Sequence, residues 1–207
     1  MILLIELIIL LMTPILVFHA IRSYSIEFAK IFWMSGLFLG ALREFALVYV
    51  SGLYSYGEFN ITIAGFPLVY LLLWSNLSYV SWQWSNNYLG LDYLKAQTWD
   101  HHLALIFGTM ILIAFFMESF FSQYQMIQWQ LSTSLKLWGG VPVLGPFAYG
   151  FTSVFFMMSV KWALRGNSGQ TKVSLTLLKM MLSQPLVVLA LAGLLFCLNI
   201  LIILIFQ

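Results

Sequence analysis

The chain has 207 residues, of which 62% are hydrophobic and 8% are charged, with a formal net charge of +2. Ordinary soluble domains are about 25% charged, so too little polar surface exists here to cover a soluble core. The small charge gives no ground for a nucleic-acid partner. A single cysteine, Cys197, leaves no internal disulfide and no thiolate metal site.

About 20 apolar residues suffice to cross the hydrocarbon core as a helix. The sequence predicts six such spans, near residues 2–19, 28–50, 61–82, 102–121, 141–164 and 175–206. The first is broken only by Glu6 and Pro14 and lacks the basic start of a cleaved signal peptide, so it is read as a retained helix. The second contains Arg43 and Glu44, and the fourth contains Glu118. The fifth carries Pro142 and Pro146 in its first turns, where proline costs little. The sixth is too long for one crossing, which predicts an interfacial start near Lys179 and a kink at Pro185. The fold class is therefore all-α, a polytopic transmembrane helix bundle forming a single integral membrane domain. A short helix between Trp84 and Trp99 would make a seventh span.

Basic residues orient the bundle. Arg22, Lys30, Lys95, Lys161, Arg165, Lys172 and Lys179 fall in the first, third and fifth connections, and only Lys136 falls in the others. Arg43 lies within a span. By the positive-inside rule the first, third and fifth connections face the cytoplasm. A multi-pass protein of a bacterial or archaeal cytoplasmic membrane is expected.

Two hairpins show matched spacing. Glu44 stands 23 residues before Pro67 and Glu118 stands 24 before Pro142; Glu44 stands 12 before Tyr56 and Glu118 stands 11 before Trp129. This suggests a parallel internal repeat with both carboxyls in the outer third of the membrane. An ionisable group at that depth is costly and suggests a site. A desolvated carboxyl that keeps its proton can act as an acid. Glu44 and Glu118 are the catalytic candidates. The competing reading makes Glu44 part of a fold-holding ion pair through Arg43. Neighbours on a helix diverge by about 100°, so Arg43 and Glu44 need not pair with each other. Glu118 could also simply snorkel to water.

Around the acids gather Tyr49, Tyr54, Tyr56, Glu58, Asn60, Tyr124, Gln125, Gln128 and Trp129. They read either as an interfacial aromatic belt or as a cavity whose π faces stabilise a carbocation. Tyr54 and Tyr56 are expected to face opposite ways, with Tyr56 the better candidate because it follows the repeat. Trp74, Asn76, Ser78 and Tyr79 form a polar and aromatic cluster in the third span, where Asn76 also reads as an interhelical hydrogen bond. Gly36, Gly40, Gly150 and Ser153 fit close helix approach.

His19, His101 and His102 fall near the cytoplasmic interface with Asp92 and Asp100, without the spacing that a haem or metal site demands. Phosphate-binding loops, a His-Glu-x-x-His pair and a nucleophile elbow are missing from the sequence. So are the Asp-rich boxes that bind diphosphate through magnesium, which speaks against prenyl transfer.

The stretch from Glu44 through Tyr54-Ser-Tyr-Gly-Glu-Phe59 to Gly65-Phe-Pro-Leu68 and Trp74 resembles the integral membrane proteins of carotenoid biosynthesis, a family that includes carotenoid 1′,2′-hydratases. Trp138-Gly-Gly-Val-Pro142, followed by Tyr149-Gly150, is similar to that family's second block. Together the blocks cover about 80 residues. The resemblance implies a cofactor-independent enzyme on a hydrophobic isoprenoid. A buried acid would protonate a terminal double bond, and water would capture the tertiary cation. Glu44 would be the acid and Glu118 its partner or the water-orienting base. Tyr54, Tyr56, Trp74, Asn76, Tyr79, Trp129 and Tyr149 would line the substrate site. The same residues would serve a membrane-embedded terpene cyclase. From other classes, a small transporter or lipid-binding protein, or a haem-bearing electron carrier, stays open.

Overall fold

A computed structural model describes residues 2–96, 100–130, 135–165 and 173–206. Trp99 and Lys172, used in the sequence reading, lie outside them. Six long helices dominate: α1 (Ile2–Ser23), α2 (Ile26–Glu44), α3 (Leu68–Leu89), α4 (Asp100–Gln123), α5 (Leu144–Arg165) and α6 (Val173–Phe206). The all-α bundle expected from composition is what the chain forms. Five helices are long and apolar enough to cross a membrane: α1, α2 with its continuation to Val50, and α4, α5 and α6. These make it a multi-pass integral membrane protein.

The third span differs from expectation. Residues 61–67 do not begin a helix but form a small hairpin, β2 (Thr62–Ile63) with β3 (Phe66–Pro67). Its turn needs positive φ at Ala64 (51°) and Gly65 (84°), a conformation that glycine adopts without steric cost. Helix α3 therefore starts seven residues late and runs on to a left-handed cap at Gly90 (φ 62°). It is wrapped by α1, α2, α4 and α5, so Trp74, Ser75, Asn76, Ser78, Ser81, Trp82 and Ser85 are buried, while Trp84 and Asn87 near its end are exposed. No further helix follows between Gly90 and Ala96, so among the described residues a seventh span does not form. Helix α6 is unbroken through Pro185.

Small residues set the spacing at the centre. A Cβ on Gly36 would lie 2.1 Å from Ser75 Oγ, and one on Gly40 would lie 3.1 Å from the Leu71 carbonyl oxygen. One turn apart on α2, these glycines let its backbone press against α3. On the other side, Gly150 of α5 admits the Phe107 ring of α4, and Ser78 and Ser153 hydroxyls meet at 3.0 Å. Beneath lies an aromatic core in which Trp82 packs on Tyr24, Phe28, Phe32 and Tyr79.

Buried charges pin the connections at each end. Glu6, fully buried in α1, accepts the backbone N–H groups of Asn60 (3.0 Å) and Ile61 (3.1 Å) and the Asn60 amide (2.6 Å). At the opposite end Lys161 of α5 donates to the backbone carbonyls of Tyr93 and Ala96 (2.9 Å to the latter) and lies 4.3 Å from the Tyr93 ring centre. At the Glu6 end the two hairpins are tied by an antiparallel pair, β1 (Tyr54–Tyr56) with β4 (Ile127–Trp129). Its register opposes Tyr54 to Trp129 and Tyr56 to Ile127. Tyr56 and Trp129, which the matched spacing makes equivalent, both lie in this pair without being opposite each other.

Candidate functional site

Helix α2 carries the first acid at its end. Directly after Glu44 the backbone widens into a π-helical turn, Phe45–Val50, a distortion often found at functional positions. Glu44 is fully buried, and both its oxygens are occupied. Oε1 accepts from Arg43 Nη1 at 2.8 Å and from Trp74 Nε1 at 3.3 Å. Oε2 accepts from the hydroxyls of Tyr54 and Tyr56. Arg43 and Glu44 thus do pair with each other, because both side chains are long enough to fold back across the angle between them. The guanidinium lies 4.1 Å from the Trp74 ring centre and 5.0 Å from that of Tyr149, and these two rings stack at 4.3 Å.

The two phenols also correct an expectation. In extended backbone, residues i and i+2 share a face, so Tyr54 and Tyr56 point the same way and meet on one carboxylate oxygen. Burial first, and the Glu44 charge second, push both phenols above their ordinary range. They therefore stay protonated and donate.

Glu118 of α4 has a different environment. It is 2% exposed, and its Oε2 has no hydrogen-bond partner among the described residues. The side chain of Tyr149 faces this carboxyl from α5. A Cβ on Gly145 would come within 3.4 Å of both Glu118 Oε2 and the Trp129 ring. The Tyr70 hydroxyl, Trp129 Nε1 and Arg43 Nε are likewise buried without partners among the described residues. Each such buried atom left without a partner costs about 1–3 kcal/mol.

Gly145 and Trp129 belong to the wall of a cavity of about 430 Å³, which also contains Arg43 and Tyr54. Its other walls are the π-helical turn, the start of α5 and the face of α6 from Val188 to Phe196. Val50, Leu189 and Phe196, at its lips, are each at least 66% exposed on the apolar outside of the bundle. The cavity therefore opens sideways, where lipid would be.

Of the nine residues predicted for the site, seven converge: Glu44, Glu118, Tyr54, Tyr56, Trp74, Trp129 and Tyr149. The other two do not. Asn76 receives Trp33 Nε1 (3.1 Å) and donates to Thr13 (2.7 Å), tying α3 to α1 and α2. Tyr79 meets His19 Nδ1 through its hydroxyl at 2.7 Å. His102 Nδ1 lies 3.2 Å from Ser85 Oγ, and His101 is exposed. Among the described residues no three His, Cys, Asp or Glu side chains converge. Tyr70 and Gly145 were missed. Tyr70 stands four residues before Trp74, one helical turn away on the same face, which is the signal that would have found it.

Fold and site together define a polytopic helical membrane protein with a buried two-carboxyl centre beside a lipid-facing cavity. Comparison with protein-family models, with curated proteins and with solved structures finds no match to this chain.

Proposed function

We propose that the protein is an intramembrane enzyme that hydrates an alkene of a hydrophobic isoprenoid, of the carotenoid type suggested by the sequence resemblance. The observation that carries this reading is the unpartnered Glu118 Oε2 behind the Gly145 wall of a sideways-opening apolar cavity. Lipid-dissolved substrate would enter between the π-helical turn and α6 and bring its chain end to Gly145 and Trp129. Glu118 is the proton donor in this reading, which reverses the roles expected from sequence. Glu44 receives four donors, one of them a guanidinium, and so serves as a fixed anion. Two carboxyls held in environments this different take different chemical roles.

The Glu118 proton adds to the less substituted alkene carbon, and the π electrons form the new C–H bond. The tertiary cation left behind faces the rings of Trp129 and Tyr54, which stabilise it. Water adds to the cation and returns one proton to the Glu118 carboxylate, so the acid is restored and the net change is addition of one water. Incubating the purified protein with linear carotenoids and reading product masses tests this. A gain of one water supports hydration, an isomeric product supports cyclisation, and no product with any isoprenoid tried rejects the enzyme. Glu118→Gln should lower turnover by about 10²–10⁴-fold, the usual worth of a positioned acid. Retained full turnover would refute the assignment.

A further inference from the structure

The Glu44 cluster separates two cavities of opposite character. On one side lies the apolar, lipid-facing cavity, whose wall contains Arg43 and Tyr54. On the other is an open vestibule of about 850 Å³ at the Glu6 end, lined by Tyr56 together with Glu58, Asn60, Thr62 and Tyr124. Tyr54, a wall residue of the apolar cavity, and Tyr56, a wall residue of the vestibule, donate to the same oxygen of Glu44. Glu44 itself is exposed to neither. Tyr56, Glu44 and Tyr54 thus form one hydrogen-bonded link from a wall residue of the vestibule to a wall residue of the cavity.

We propose that Tyr56 is the gate by which water passes from the vestibule to the reaction centre. The purpose of the gate rests on the hydration reading, whereas the path itself rests on geometry alone. A site that forms a carbocation needs one water and must exclude the rest. The lipid-facing cavity offers few polar groups to carry water inward, and the vestibule offers several. The backbone around Tyr56 is fixed. β1 is paired with β4, the N–H of Gly57 donates to the Met126 carbonyl at 3.0 Å, and a Cβ on Gly57 would lie 2.2 Å from the Gln125 carbonyl oxygen. Opening must therefore come from the Tyr56 side chain. Its ring packs on those of Tyr54 at 5.7 Å, Tyr70 at 5.3 Å and Phe59 at 6.1 Å, and its hydroxyl is tethered to Glu44.

Cysteine accessibility tests the gate without substrate. In a Cys197→Ser background reconstituted in liposomes, Asn60→Cys reports the vestibule, Ala148→Cys the apolar cavity, and Ala20→Cys the core at the far end. A small charged methanethiosulfonate, present on both sides, should modify Asn60→Cys readily and the other two slowly. Adding Tyr56→Ala should raise the rate at Ala148→Cys by about tenfold or more, since thiol reactivity follows access, and leave Ala20→Cys slow. Tyr56→Phe, which keeps the ring but cuts the tether, should give an intermediate rate. An unchanged Ala148→Cys rate in Tyr56→Ala overturns the gate. Should Ala20→Cys also become reactive, the bundle has loosened as a whole, and the Tyr56→Phe comparison decides: no rise there overturns it equally. Failure to find a hydrated product would reject the enzymatic reading while leaving a positive labelling result intact.

Discussion

Removing either member of the Arg43–Glu44 pair should damage the protein more than removing both charges. Arg43 is 3% exposed and Glu44 fully buried, and they meet at 2.8 Å. In Arg43→Met the carboxylate keeps only neutral donors, Tyr54, Tyr56 and Trp74. In Glu44→Gln the guanidinium loses its counter-charge while still held between the rings of Trp74 and Tyr149. Leaving one buried charge without its partner costs about 3–5 kcal/mol, whereas replacing a whole buried pair is often nearly neutral. For a chain of this size that loss corresponds to roughly 6–20 °C in thermal midpoint. Arg43→Met/Glu44→Gln should lose less than either single variant, which requires a coupling between the two sites of at least about 3 kcal/mol, the size of one single loss. Midpoints are measured in one detergent by size-exclusion chromatography after heating. If the double variant loses as much as either single variant or more, the pair is not the coupled unit described here.

Other consequences follow from the same geometry. Dicyclohexylcarbodiimide, which enters from lipid and reacts with protonated carboxyls, should modify Glu118 and spare Glu44; Gly145→Val should slow that modification by placing methyls against Glu118 Oε2, and peptide mass mapping reads both. Gly36→Ala should destabilise by about 1–3 kcal/mol through overpacking, because its Cβ would fall 2.1 Å from Ser75 Oγ. Adding Ser75→Gly should restore the loss, and failure of that rescue would refute the close α2–α3 contact. Unfolded tyrosines ionise near 10.0, but burial and then Glu44 hold Tyr54 and Tyr56 protonated above that pH. The unfolded chain then binds fewer protons than the folded one, so stability should fall as pH rises past 10.0. Tyr54→Phe/Tyr56→Phe should flatten that fall in thermal midpoint, and an unchanged slope would refute it.

Much of this was legible from residues alone, for reasons that differ by element. Five of the six expected spans follow from apolar runs, since lipid demands them whatever the tertiary detail, whereas α3 is not among the helices apolar enough to cross. The two carboxyls stood out because charge at membrane depth is rare. The start of α3 was hidden because Gly-Phe-Pro fits a helix entry as well as a hairpin turn, and only the positive φ of Ala64 and Gly65 decides. Trp74, Asn76 and Tyr79 looked like one cluster in sequence. Yet at about 100° per residue, Asn76 lies about 160° from Trp74 around the helix and Tyr79 about 140°. Only Trp74 can face Glu44, and Tyr70, one turn earlier, joins it. The Arg43–Glu44 pair was discounted by applying the same angle to backbone directions, when side-chain length is what closes the gap.

What separates the two hairpins is the residue before each acid. Arg43 precedes Glu44, and Met117 precedes Glu118. Matched spacing brings both carboxyls to the end where β1 pairs with β4, but only one arrives with its own cation. That single difference makes Glu44 an anion gripped by two phenols, an indole and a guanidinium, and leaves Glu118 with an oxygen that no described group satisfies. Arg43 bears on both carboxyls but bonds only to Glu44, which is why the proposed reaction gives the donor role to Glu118 and the anion role to Glu44. The fixed anion has a complementary use. Its charge lies near the aromatic wall where a cation would form, and it holds both phenols that close the path to water. In the proposed reaction, the asymmetry between two similar hairpins is what would give the centre a direction, with lipid-borne substrate entering on one side and water on the other.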